Sequence, residues 1–317
     1  MQRTPRPSTR RAPSTARAAA TPPRRQCGAM SAHYRLLETD PNFRQRQVDL
    51  EHLCARRLMP GAALRPGITT IPVVVHVVYN AASENISAAQ IRSQIAVLNR
   101  DFRATNPDKS KVPTVFAGLV ADVRIQFALA TRDPAGRRTS GIRRIRTTRT
   151  SFGTGDTVKS AASGGADPWP IAKYLNIWVC TLSGGLLGYA QFPGGPPATD
   201  GVVILNTAFG TNGTAAAPFN LGRSATHEIG HWLNLRHIWG DTEDCSGGDL
   251  VADTPNAEGP NFGNPTFPQI SCSNGPNGEM FMNYMDYVDD DSMFMFTPQQ
   301  VARMHTTLDG SRAAIGT

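Results

Sequence analysis

Three histidines and a glutamate fall within the eleven residues His227-Glu228-Ile229-Gly230-His231-Trp232-Leu233-Asn234-Leu235-Arg236-His237. At 3.6 residues per helical turn, His227 and His231 lie one turn apart on one face, so both imidazoles can reach a single metal ion. Glu228 sits beside them near the open side of that ion. His237 can join them only if the chain leaves the helix after His231. Asn234 marks the exit, because asparagine is the side chain after glycine that best tolerates the left-handed backbone ending a helix. A bare H-E-x-x-H recurs by chance on surface helices; a third histidine in register with a turn residue sets this stretch apart. The chain has seven histidines, and the other four, His33, His52, His76 and His305, are isolated and read as ordinary surface or core residues.

Three neutral nitrogens form the donor set of a catalytic zinc, which keeps a fourth position for a water whose pKa falls to about 7. Glu228 beside that water could carry its proton to the group that leaves on hydrolysis.

A second constellation, Asn283-Tyr284-Met285-Asp286-Tyr287, follows downstream. Taken with the long histidine helix and its Trp232 and Leu233, it resembles the metzincin metallopeptidases and, more narrowly, the pappalysin family, over roughly residues 25–310. The resemblance implies that Met285 forms an apolar floor beneath the histidines. It also implies that Tyr287 reaches toward the metal, where a phenol can donate a hydrogen bond to a developing oxyanion. The family pattern has glycine where this chain has Asn234, a departure that asparagine's backbone tolerance accommodates. The implied fold is an α/β (α+β) zincin. A twisted five-stranded mixed sheet and the active-site helix come first, then an irregular C-terminal subdomain with the methionine turn and a terminal helix, and the cleft lies between.

Between the two constellations, residues 241–291 hold eleven acidic residues and no lysine or arginine. Such a segment cannot hold itself together by burial. Read alone, Cys245 to Pro255 is a solvated acidic loop; its resemblance to a pappalysin calcium loop implies Asp249, Asp253 and Thr254 as calcium ligands. The resemblance also implies a Cys245–Cys272 disulfide, which suits an oxidising compartment. A second bridge common in the family is expected to be missing, since Ser292 stands where its cysteine would be, and Cys180 reads as a buried free thiol. In the run Asp289-Asp290-Asp291, the resemblance places Asp291 at the base of the pocket for the residue after the cut bond. A carboxylate there would favour arginine, and the alternative is a solvated or calcium-holding aspartate.

The net charge is +7, yet residues 1–70 carry thirteen arginines against four acids, so the rest of the chain is mildly acidic. Residues 1–26 read as a disordered Arg-rich leader. No aromatic residues interleave with these arginines, which argues against a nucleic-acid-binding tail. Neither arginine pair, Arg10-Arg11 or Arg24-Arg25, precedes the apolar run of an export signal, and no apolar run is long enough to span a membrane. Residues 27–68 resemble a pappalysin prodomain, in which Cys27 of Arg25-Gln26-Cys27-Gly28 would occupy the open zinc position as a thiolate; an incidental cysteine is the alternative.

A catalytic domain is expected over 69–317. Ile71 to Tyr79 reads as a buried strand, and Ser87-Ala88-Ala89-Gln90 as a capping box opening a helix with Ile91, Ile95, Leu98 and Phe102 on one face. Strands follow at 123–130, 175–179 and 202–205, then the histidine helix, with a last helix opened by Thr297-Pro298-Gln299-Gln300. Gly184 to Phe192 resembles an edge strand along which an extended substrate adds antiparallel. The expectation is a secreted zinc endopeptidase, made latent, acting on protein or peptide substrates and not on nucleic acid, with its oligomeric state open. The alternatives are a catalytically silent zinc- and calcium-stabilised binding module, which would normally have lost Glu228, and an Arg-rich nucleic-acid binder, which would need a basic folded region.

Overall fold

The structure, a computed structural model, describes residues 23–58 and 65–316. Most of the Arg-rich leader lies outside the described residues. Two helices open the described chain, α1 (Ala29–Thr39) and α2 (Phe43–Arg57). There follow β1 (Thr69–Tyr79), α3 (Ala88–Asp101), a single-turn α4 (Thr114–Ala117), β2 (Ile125–Leu129), β3 (Ile142–Arg146), β4 (Leu175–Cys180), β5 (Gly188–Ala190), β6 (Val202–Leu205), α5 (Arg223–Trp232) and α6 (Pro298–Asp309).

Five strands form a continuous path in the order β2-β1-β4-β6-β5, and β3 pairs with β1 beyond the end of β2. All pairs are parallel except β5 with β6. Parallel strands need both faces covered, and the β-branched run of β1 supplies two apolar faces by simple alternation. Val73, Val75 and Val77 join Ile177, Val179, Ile204, Ile91 and Ile229 in the larger core under α3 and α5. Val78, Trp178, Cys180 and Val203 pack on the other side, against Ala32 of α1. Each such buried aliphatic side chain contributes about 1.5–3 kcal/mol.

Ser87 caps α3 by accepting from the Gln90 backbone N–H, but the reciprocal half of the expected box is not made. The Gln90 side chain instead donates to the carbonyls of Asn206 and Phe209 and accepts from the Thr214 N–H, tying down the loop that leads to α5. Burial of that amide away from its own helix end is what redirects it. At α6 the Thr297–Gln300 box is complete. This helix also carries Arg303, which donates to the Asn234 carbonyl and so secures the turn after α5.

α1 and α2 pack on the sheet's β5 end and on α6. Phe43 of α2 and Ala29 and Leu36 of α1 bury against Phe192, and the Glu51 carboxylate pairs with Arg303. Cys54 and Cys180 are buried free thiols. His33, His76 and His305 are buried, and His76 bonds Asn176 while stacking on Trp178.

Candidate active site

α5 has glycine at its N-cap, with a left-handed backbone and no side-chain cap of its own. A distant residue supplies the acceptor: the buried Asp290 carboxylate takes the N–H groups of Leu221 and Arg223, an arrangement the positive end of the helix dipole favours. Arg223 in turn pairs with Asp101 and Asp108, fixing α5 to the end of α3.

The helix stops at Trp232, and Asn234 takes a φ of 74°, in the left-handed region that turns the chain back. His237 thereby returns to the same point as His227 and His231. Their Nε2 atoms lie 3.1, 3.1 and 3.3 Å apart. Each Nδ1 has an acceptor on its other side: the Tyr284 carbonyl for His227, the Leu235 carbonyl for His231 and the Asp241 carboxylate for His237. An imidazole donating from Nδ1 presents a bare lone pair at Nε2. Three such lone pairs converging in a buried space repel one another unless a cation lies between them. The donor set therefore fits zinc.

Cys27 completes the group: its Sγ and the three imidazoles lie within 4.8 Å of one another, the only such cluster of His, Cys, Asp or Glu among the described residues. The thiol donates to Glu228 Oε2 across 3.4 Å. Burial pushes the Glu228 carboxyl up to about 8, and burial with Glu228 raises Cys27. A dication held by the three imidazoles would oppose that bias toward the neutral thiol.

Two glycines make this closeness possible. A Cβ on Gly188 would stand 2.7 Å from Glu228 Cγ, and one on Gly230 would stand 2.5 Å from Met285 Sδ. Met285 is fully buried against the helix. The Tyr287 ring lies 4.9 Å from His237 and 5.8 Å from His227 between centroids, and burial raises its phenol above the usual range.

Residues 26–28 lie along the edge strand. Leu187 N–H donates to the Gln26 carbonyl and Gly28 N–H to the Gly188 carbonyl, in a parallel bridge. Arg25, in the part of the leader read as disordered, is almost fully buried. Its guanidinium donates to Asp290, to Ser224 Oγ and to the Val288 carbonyl. Asp291, by contrast, is exposed. The carboxylate facing inward is Asp290, because the 3-10 turn at Asp290–Ser292 and the open N–H groups of α5 select it. Sequence reasoning missed Arg25 and Asp290, although Arg25 stands two residues before Cys27 and residues i and i+2 of an extended chain share a side.

Cys245 and Cys272 are joined as a disulfide. Asp249 accepts the Thr254 hydroxyl and the Val251 N–H, and burial pushes it up to about 7. Asp253 accepts from Thr297 Oγ1 and Gln299 N–H at the start of α6.

A family model described as pregnancy-associated plasma protein-A matches residues 161–309. An extracellular metalloprotease of Pyricularia oryzae is 33% identical over 261 residues, which cover 79% of this chain and 79% of that one. The chain belongs to the pappalysin family. It is a metalloendopeptidase with a mixed α/β metzincin fold. Among solved structures, this pappalysin is similar to mature mirolysin of Tannerella forsythia in complex with a cleaved peptide, at 51% identity and a TM-score of 0.77, covering 79% of this chain and 96% of that one. It is also similar to a promirolysin mutant of the same organism, at 47% identity and a TM-score of 0.85, covering 92% and 96%. No helix among the described residues is long and apolar enough to cross a membrane.

Proposed function

We propose that this pappalysin is a secreted zinc endopeptidase made as a latent zymogen, with His227, His231 and His237 holding the metal and Cys27 blocking it. The carrying observation is the convergence of three Nε2 atoms and one thiol, each imidazole oriented by an acceptor behind it. Bound zinc would supply Lewis acidity toward a water and a peptide carbonyl.

The chain's own residues do the rest. Glu228, held beside Gly188, accepts a proton from the attacking water and delivers it to the leaving amine. Tyr287 donates to the carbonyl oxygen as negative charge develops there. Met285, buried against Gly230 between the two helix histidines, forms the floor of the site. The edge of β5 offers backbone groups to an extended substrate once residues 26–28 have left it.

Residues 27–68 form the latency segment and 69–317 the catalytic domain, with the anchoring of Arg25 extending the blocking contacts two residues into the leader. Greater coverage of the pro form than of the mature form among the mirolysin structures supports this division. Cleavage between about Arg56 and Thr69 would mature the enzyme, a span partly outside the described residues. Asp290, rather than Asp291, is the base of the pocket after the cut bond. Arg25 lies in it now with three hydrogen bonds, so a substrate arginine would find the same partners. Secretion is supported by the disulfide and by the extracellular relatives.

Calcium at Asp249, Asp253 and Thr254 is supported by a buried Asp249 that forms no ion pair among the described residues. Calcium should raise the Tm of the wild type and leave that of Asp249→Asn unchanged; equal shifts in both would remove this site. The enzymatic reading is tested by incubating matured protein with a peptide library, with and without a chelator, and mapping cut sites by mass spectrometry. Zinc-reversible cleavage before arginine is expected, and chelator-insensitive cleavage or none would overturn the reading.

A further inference from the structure

Arg24 and Arg25 are neighbours whose side chains part. Arg25 enters the Asp290 pocket, whereas the Arg24 guanidinium lies over the Phe262 ring, 4.7 Å from its centroid. Arg24 and Phe262 line a cavity of about 590 Å³ whose walls also include Glu243, Glu258 and Glu279. Among the described residues lining it, Arg24 is the only basic one; the others come from residues 241–291, a stretch without lysine or arginine. Glu279 is buried and held by Asn261 and by the Ser271 hydroxyl, while Glu243 and Glu258 are exposed. A ring face and carboxylates around one cavity attract a cation by quadrupole and by charge.

The cavity adjoins the pocket described above. Gly263 bridges Val288, the residue whose carbonyl accepts from Arg25, and Phe262 lies 6.0 Å from the Tyr287 ring. The N-terminal segment meets β5 in the parallel sense. A substrate adding antiparallel to that edge would meet the two subsites in reversed chain order. The residue following the pocketed arginine then falls where Arg24 lies.

We propose that Phe262, with Glu243, Glu258 and Glu279, forms a second subsite that accepts a basic side chain at the second position after the cut bond, so that the matured enzyme prefers paired basic residues there. This rests on the peptidase reading and on the Asp290 pocket. The Arg24-Arg25 pair occupies both subsites in the latent chain.

The test uses matured wild type and three peptides that share arginine directly after the cut and differ only in the next residue: arginine, alanine or glutamate. The ratio of kcat/KM for arginine over alanine should be about 5–10, with glutamate below alanine, as expected of a partly exposed cation–π contact among carboxylates. Phe262→Leu, which keeps bulk and removes the ring face, should bring the ratio to within twofold of one. Glu243→Gln with Glu258→Gln, both at exposed positions, should lower it and weaken its salt dependence, and this pair still reports should Phe262→Leu fail to fold. A wild-type ratio near one, or one unchanged in both variants, would overturn the subsite. Cleavage of none of the three peptides would instead overturn the peptidase reading beneath it.

Discussion

Glu228 stands one position from a histidine of the converging trio, yet its carboxylate faces Cys27 and Gly188 rather than the Nε2 cluster. The proposed function gives proton carriage and metal holding to different side chains, and the two should separate on mutation. Glu228→Ala in the matured enzyme should lower kcat/KM by at least about 10²–10⁴ while zinc content by elemental analysis stays near one per chain; near-wild-type turnover would remove Glu228 from the mechanism. Gly230 sets the distance between helix and floor. Adding a methyl 2.5 Å from Met285 Sδ forces the thioether away, and Gly230→Ala should cost about 1–3 kcal/mol of stability, read as a lowered Tm. An unchanged Tm would mean that Met285 moves freely. At this scale the sequence was most legible, because H-E-x-x-H spacing and a left-handed asparagine are local facts. Asp290 was not legible. Which of three consecutive aspartates turns inward depends on α5 N–H groups about seventy positions earlier in the chain.

Among the elements, α2 packs on α6 and α1 on β5, so the first two helices are held at separate places. Arg303 of α6 holds the Asn234 carbonyl and Glu51 of α2 together, so the turn that returns His237 is also where α2 docks. α1 docks through His33, which is buried against Phe43 and Phe192. Burial, with Arg236 and Arg44 nearby and opposed by Asp241, lowers its pKa to about 4. An undocked histidine titrates near 6.5, so protonation favours the undocked segment. The docking contribution of His33 is complete above that pH and is lost as pH falls toward 4, by about 3 kcal/mol. Amide protection over residues 29–57 of the uncleaved protein, with each exchange rate referred to the intrinsic rate at its pH, should fall between pH 6.5 and 4.5, and His33→Phe should blunt the change. Identical pH dependence in both proteins would clear His33 of this role. The strands were legible from β-branched runs, but the half-made cap at Ser87 was not, because Gln90 answers to a loop more than a hundred residues away.

Over the whole molecule, one chain carries both a cleft and the segment that fills it. Composition hid this: the arginines of the first 26 residues read as a solvated leader, since composition averages over residues and cannot see that Arg25 meets Asp290. Cys27 was legible only through its Arg-x-Cys-Gly setting. The Cys245–Cys272 disulfide and the side-chain bonds of Asn256 and Asn274 to backbone carbonyls tie the acidic loops together. The proposed latency requires a single zinc held by His227, His231 and His237 and capped by Cys27 until the segment is removed. X-ray absorption at the zinc edge tests it on the uncleaved and matured proteins. One zinc per chain is expected, with three nitrogen donors and one sulfur before cleavage and with the sulfur absent afterwards. An uncleaved protein whose zinc shows no sulfur donor, or which holds no zinc, would contradict it.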